Sequence, residues 1–177
     1  MLARAFHDDP AWRWILPSAR RRERILPWLF ERVLASADAD VDVTDDLAGA
    51  AVWIDSATPP RSPGLGAVVG IALRFRGAQP RLRAYLELNA RLKDEVHPAP
   101  CLVLSGIGVV PERQGQGLGT ALLAAGLARA DRAALPVFLT TCTERNLPLY
   151  ERHGFAVEAL RAPPGGPPTW AMVRLPR

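Results

Sequence analysis

Two periodicities divide the chain. Ile25, Leu29 and Val33 recur at i, i+4, i+8, as do Leu26, Phe30 and Leu34, making one broad apolar face. They predict a helix from an N-cap at Ser18 to about Ala37, kinked at Pro27. Tyr85, Leu88 and Leu92 predict a second helix over Arg81–Glu95, ended by Pro98 and Pro100. Leu118, Leu122 and Ala125, with Leu123, Leu127 and Ala130, predict a third, apolar over much of its surface. Met1–Phe6 reads as the end of a helix, broken at His7-Asp8-Asp9-Pro10, where Asp8 or Asp9 can cap the segment beyond. Asn146–His153 reads as a short helix closed by Gly154. Strands are expected at Val41–Val43 and Gly49–Asp55, joined by a hairpin turn at Asp45-Asp46. Further strands are expected at Cys101–Val110 and Val137–Cys142, and in a hairpin of Phe155–Leu160 with Thr169–Leu175, whose Trp170, Met172 and Arg174 share a face. Ala67–Phe75 is apolar without a deciding period.

The stretch VVPERQGQGLGTALL, Val109–Leu123, joins the apolar run Cys101–Val110 to the third helix. Strand, glycine turn, helix and next strand imply a parallel pair with a right-handed crossover. Such a turn offers backbone N–H groups at the positive end of a helix dipole, which suits phosphate oxygens. A Walker A loop needs Lys and Ser/Thr after its last glycine, but Gly119 is followed by Thr120 and Ala121. The dinucleotide fingerprint G-x-G-x-x-G fails because Thr120 holds the sixth position after Gly115 and Gly117. What remains is Q-x-x-G-x-G, carried by Gln114, Gly117 and Gly119, or an ordinary tight turn.

Composition adds limits. A chain of 177 residues, 49% hydrophobic and 23% charged, suits one globular domain over residues 1–177. Proline and glycine gather in loops, chiefly Pro59–Gly66 and Pro163–Pro168. The net charge of +4 is modest, and the short run Arg20–Arg22 reads as a solvated face, so nucleic acid is not an expected partner. Cys101 and Cys142 lie far apart in apolar runs, without metal-ligand spacing, and are expected to be buried thiols. No apolar run reaches the length of a membrane span, and the N-terminus lacks a signal-peptide core, which makes a cytoplasmic protein the simplest inference. Trp12, Trp14 and Ile15 form an aromatic patch suited both to packing and to an acceptor pocket.

The block Ser105–Phe155 resembles the acyl-CoA core of the GNAT superfamily of N-acetyltransferases: Gln114, Gly117 and Gly119 match its pyrophosphate loop, and Asn146, Tyr150, Gly154 and Phe155 its N-x-x-x-Y-x-x-x-G-F signature. AFHDDPAWRWILP upstream and GPPTWAMVR downstream resemble the subgroup that includes puromycin N-acetyltransferase, although Cys101-Leu102 stand where that subgroup often has aromatic residues. The resemblance implies an α/β fold, with a mixed, mostly antiparallel sheet whose parallel central strands splay apart between flanking helices. Relatives begin with a strand before the first helix. This chain begins within that helix, so the first strand is expected to be missing, exposing a sheet edge and leaving a homodimer open.

The resemblance further implies acetyl transfer from acetyl-CoA to an amine by direct attack in a ternary complex, without a metal. The cofactor-binding residues would be Ile107, Gly108 and Val109 on the strand edge, Gln114, Gly115, Gln116, Gly117, Leu118, Gly119 and Thr120 in the loop, and Asn146 on the pantetheine arm. A backbone N–H near Val109 would stabilise the oxyanion, and Gly108 would allow the distortion this needs. Tyr150 would protonate the leaving thiolate. The general base stays open among Glu112, His97, Glu95 and Asp9, and an acetyl-enzyme on Cys142 is the minor route. A small-molecule amine is the leading acceptor. A protein N-terminus or lysine, or a non-catalytic acyl-CoA-binding domain, are the alternatives.

Overall fold

Among the described residues the apolar runs become six strands, β1 (Ala39–Val43), β2 (Gly49–Asp55), β3 (Leu102–Val109), β4 (Val137–Thr141), β5 (Ala156–Arg161) and β6 (Thr169–Arg174). The α-helices among the described residues are α1 (Leu2–Ala5), α2 (Pro10–Ile15), α3 (Ala19–Leu34), α4 (Leu65–Arg74), α5 (Gln79–Val96), α6 (Leu118–Arg132) and α7 (Leu147–Arg152). The computed structural model describes residues 1–35, 39–58, 64–96 and 99–177. Ala37, most of the predicted Pro/Gly loop at 59–66, and both His97 and Pro98 lie outside them. The ambiguous Ala67–Phe75 segment is helical, as α4. No helix among the described residues is long and apolar enough to cross a membrane.

One sheet runs in the order β1-β2-β3-β4-β6-β5. Every pairing is antiparallel except β3 with β4, the pair joined through α6. This is the expected mixed, mostly antiparallel α/β architecture, with β1 at one edge.

Alternation along the strands sorts the core into two layers. Ala51 and Trp53 of β2 face α6, together with Val137, Leu139 and Met172. Ala50 and Val52 face the other way, onto Leu2 of α1 and, through Phe30 and Val33, α3. Phe138, Ala171 and Ala159 take Leu92 of α5 on that second face. The packing of α6 is tight: a Cβ on Gly126 would stand 2.0 Å from Trp53 Cζ2. The Trp53 indole N–H donates to Asp42, which also receives both terminal nitrogens of Arg129 at 2.7 and 2.8 Å. Asp42 therefore turns inward from β1, while Val41 and Val43 stand 37% and 51% exposed, the reverse of what hydrophobicity alone would assign.

Of the run Arg20–Arg22, Arg20 is exposed as its charge suggests, but Arg21 and Arg22 are not part of a solvated face. Arg22 is buried and donates to the carbonyls of Leu16 and Pro17 at 2.8 and 2.9 Å, and Arg21 donates to those of Arg74 and Arg76. Chain ends of neighbouring helices leave carbonyls without partners, and the two guanidinium groups satisfy them.

Candidate active site

Pairing between β3 and β4 stops at Leu104 opposite Leu139, while β3 continues to Val109. Beyond that point the two strands splay. A register shift opposite Val52/Trp53, where Ser105 is the extra residue on β3, changes which groups face the gap. Val110 N–H donates to Ala48 across β2 at 2.8 Å. Alternation along the strand then turns the N–H groups of Gly108 and Gly106 toward β2, and those of Ile107 and Val109 to the open edge.

Gly108 is explained by a neighbour. A Cβ there would meet Ala5 Cβ at 2.8 Å and Phe6 Cε2 at 3.1 Å. Its backbone is not left-handed, and its missing side chain lets α1 lie on β3.

The loop after β3 is shaped by two glycines in left-handed geometry, Gly115 at φ 75° and Gly117 at φ 81°. Gly117 occupies the N-cap of α6. The first bond at this end runs from Ala121 N–H to Gly117 O, so the N–H groups of Leu118, Gly119 and Thr120 point out of the helix end. Gln114 folds back and donates from Nε2 to Val109 O at 3.0 Å, which fastens the loop to the open strand edge. Gln116 is tied within the loop, accepting from Arg113 and donating to Glu112 O.

These groups border a groove of about 1020 Å³. Arg4, Arg13, Arg113, Arg145 and Arg152 line it against the carboxylates of Asp8 and Asp9. Arg4 is paired with Glu112 and Arg113 with Asp46. Among the described residues, Arg13, Arg145 and Arg152 have no ion-pair partner, which leaves cationic charge for an anion. Sequence reasoning missed these arginines. They come from three separate helices or loops, and no local spacing joins them.

Tyr150 and Asn146 stand across the gap. Asn146 holds the N-cap position of α7 but makes no capping bond, and its side chain borders the groove. Tyr150 is 4% exposed and packs edge-on against Phe155, with ring centroids 5.9 Å apart. Burial, reinforced by the Asp9 carboxylate, pushes its phenol above the ordinary value of 10.0, so it stays protonated. The turn after α7 is set by Gly154 at φ 89°.

Behind this point lies a second, mostly apolar cavity of about 430 Å³, between the sheet and helices α2 to α5. Phe6, Asp9, Ile107, Asn146 and Tyr150 border both spaces and form the neck between them. Trp12 of the predicted aromatic patch lines the cavity, while Trp14 and Ile15 pack among the helices.

The four carboxylate and histidine candidates separate at once. Glu112 is exposed and paired with Arg4, and Glu95 is exposed and paired with Arg161. His97 lies outside the described residues. Asp9 stands in the neck. Its Oδ1 accepts from the N–H groups of Ala11 and Trp12 at 2.9 and 3.3 Å, capping α2, and its Oδ2 accepts from Thr143 Oγ1 at 3.4 Å. Burial raises its carboxyl above the ordinary 3.8, partly offset by those bonds. Cys142 also lines the cavity, but burial raises its thiol, and nearby Asp9 adds to this; a thiolate nucleophile is disfavoured there. Among the described residues no cluster of three or more His, Cys, Asp or Glu could hold a metal ion.

Residues 82–157, which span α5 to β5 and contain the loop, the open edge and Tyr150, match the family model described as "Acetyltransferase (GNAT) domain". This segment of the chain is therefore similar to a GNAT acetyltransferase domain. Solved structures with the same fold include the protein described as histone acetyltransferase HPA2 and related acetyltransferase from Corynebacterium glutamicum, 22% identical over 99% of this chain and 87% of that one, with TM-score 0.66. Arylalkylamine N-acetyltransferase 2 from Aedes aegypti is 12% identical over 99% and 93%, with TM-score 0.57. At these identities the likeness is one of fold, and the two names carry different acceptors. The loop Gln114–Thr120 and the open edge of β3 fall in the matched segment, whereas Asp9 and the part of the cavity wall formed by Phe6, Trp12, Ile71 and Phe75 lie before it.

Proposed function

We propose that this GNAT-like domain transfers the acetyl group of acetyl-CoA to the primary amine of a small molecule, by direct attack in a ternary complex. The observation that carries this is the neck, where the unpaired edge of β3 faces Tyr150 across the splay, between a basic groove and an apolar cavity. In this reading the groove takes acetyl-CoA. The N–H groups of Leu118–Thr120 meet its pyrophosphate, Arg13, Arg145 and Arg152 supply counter-charge, and Gln114, Gly115, Gln116, Gly117 and Gly119 shape the loop. The edge of Ile107–Val109 and the Asn146 side chain hold the pantetheine arm.

The amine nitrogen, deprotonated, forms the new C–N bond at the thioester carbonyl carbon. An open-edge N–H of Ile107 or Val109 stabilises the charge on the carbonyl oxygen. As the C–S bond breaks, the electron pair goes to sulfur and Tyr150 gives it a proton. The burial that keeps Tyr150 protonated also raises a thiolate beside it, so donor and acceptor shift together. The products are the N-acetylated amine, CoA thiol and one proton from the original ammonium.

Calorimetry of the chain with acetyl-CoA, using ATP and NADP as controls, tests the groove. The expected result is micromolar binding of acetyl-CoA alone, followed by thiol release with an amine. Binding without release for any amine or peptide would leave an acyl-CoA-binding domain instead.

A further inference from the structure

The cavity behind the neck has a composition that selects its occupant. Phe6, Trp12, Ile71, Phe75, Leu82 and Tyr85 supply much of its wall. Among the described residues lining it, Asp9 is the one side chain that carries a formal charge. That charge stands at the neck, with Tyr150 and the open edge of β3, and not at the cavity's far end. An ionised carboxylate accepts about four hydrogen bonds. Asp9 receives three from the chain, one of them long at 3.4 Å, so Oδ2 retains capacity for a ligand donor.

Resting on the acetyltransferase reading above, we propose that the acceptor is a primary amine carried on an uncharged apolar body, aromatic or branched alkyl. The body lies in the cavity and the nitrogen meets the Asp9 carboxylate. Asp9 attracts the ammonium form, takes one proton from it and so leaves the nitrogen lone pair free to attack at the neck. A ring-sized body matches about 430 Å³, near the small end of ligand sites. A second cation deeper in the ligand would find no carboxylate among the described lining residues, and a polyhydroxylated body would lose water against a mostly apolar wall whose polar groups, such as Ser105, Thr140 and Thr141, are too few to replace it. Polyamines, amino sugars and basic peptides are therefore poor fits. Both ends of the amine have a defined place: the apolar wall removes the body from water, and the single charge fixes the nitrogen.

The test begins with acetyl-CoA binding by calorimetry. If acetyl-CoA does not bind, the acetyltransferase reading fails and takes this proposal with it. If it binds, thiol release is measured at saturating acetyl-CoA with 2-phenylethylamine, ethanolamine, spermidine and a lysine-containing basic peptide. Expected is kcat/KM about 100-fold higher for 2-phenylethylamine than for ethanolamine, since each buried methylene is worth roughly tenfold or more. A preference for spermidine or the peptide, or turnover of none of the four, overturns the acceptor class while the groove reading stands. Asp9→Asn keeps an α2 cap, because Asn is as good an N-cap as Asp. It is expected to raise KM for 2-phenylethylamine and to lower kcat, with acetyl-CoA affinity not weakened, since a negative charge leaves the groove wall, and melting temperature unchanged. Ile71→Phe, on the partly buried wall, narrows the cavity: KM for 2-phenylethylamine should rise about tenfold and that for ethanolamine stay level. Equal effects on both amines would count against the body lying there.

Discussion

Gln114 Nε2 donates to the carbonyl of Val109 at 3.0 Å, so the residue that opens the glycine loop is fastened to the strand whose free edge faces the gap. Loop and edge are held as one unit by this contact. Gln114→Ala removes one hydrogen bond, worth about 1 kcal/mol. The expected outcome is roughly fivefold weaker acetyl-CoA binding by calorimetry, with an unchanged melting temperature. An unchanged dissociation constant would mean that the loop holds its shape through Gly115 and Gly117 alone.

Tyr150→Phe deletes the only group of that side chain able to give a proton and leaves its packing on Phe155 in place. A fall in kcat of about 100-fold is expected, with acetyl-CoA affinity retained. Burial raises the phenol above its ordinary value, so Tyr150 stays protonated through the alkaline range. The wild-type rate should therefore show no alkaline fall near pH 10. A fall there in stopped-flow or steady-state profiles would contradict the raised phenol.

Gly108→Ala drives a methyl group to within 2.8 Å of Ala5 Cβ, and relief requires α1 to lift from β3. Overpacking of this kind costs about 1–3 kcal/mol. Chemical denaturation should show that loss, and Ala5→Gly in the same chain should restore part of it. Failure of the second change to rescue would place the strain elsewhere than on α1.

Asp131 accepts both terminal nitrogens of buried Arg174 at 2.8 Å each, and this pairing holds its carboxyl down to about 2 from the ordinary 3.8. A depressed carboxyl contributes stability that is fully present above the unfolded value near 4 and is lost as pH falls toward 2. Melting temperature measured between pH 5 and pH 2 should fall more steeply for the wild type than for Asp131→Asn, which starts lower because Arg174 loses its partner. Parallel curves would remove Asp131 from the acid response.

Much of the architecture is written locally. Glycines at 115, 117 and 154 take left-handed backbone, so their places in the loop and after α7 could be read from residue type. Apolar period distinguished α3, α5 and α6 from the strands, and the order strand, helix, strand set the parallel pair. The two motifs carrying the GNAT resemblance lie within one continuous stretch of chain, which is why the resemblance and the loop were legible without a fold.

Tertiary structure decided the rest. Asp9 meets Thr143 across 134 positions of sequence, and nothing in its local pattern separates it from Glu112 or Glu95 as a partner for the amine. Arg22 is buried because carbonyls at the end of α2 need donors, and Asp42 turns inward because Arg129 and the Trp53 indole wait there. Gly108 is small because α1 crosses it. Period and residue type report how a segment folds on its own backbone. Which side chains share a cavity, and which charges are left without a partner, depends on distances that exist only once the sheet has closed.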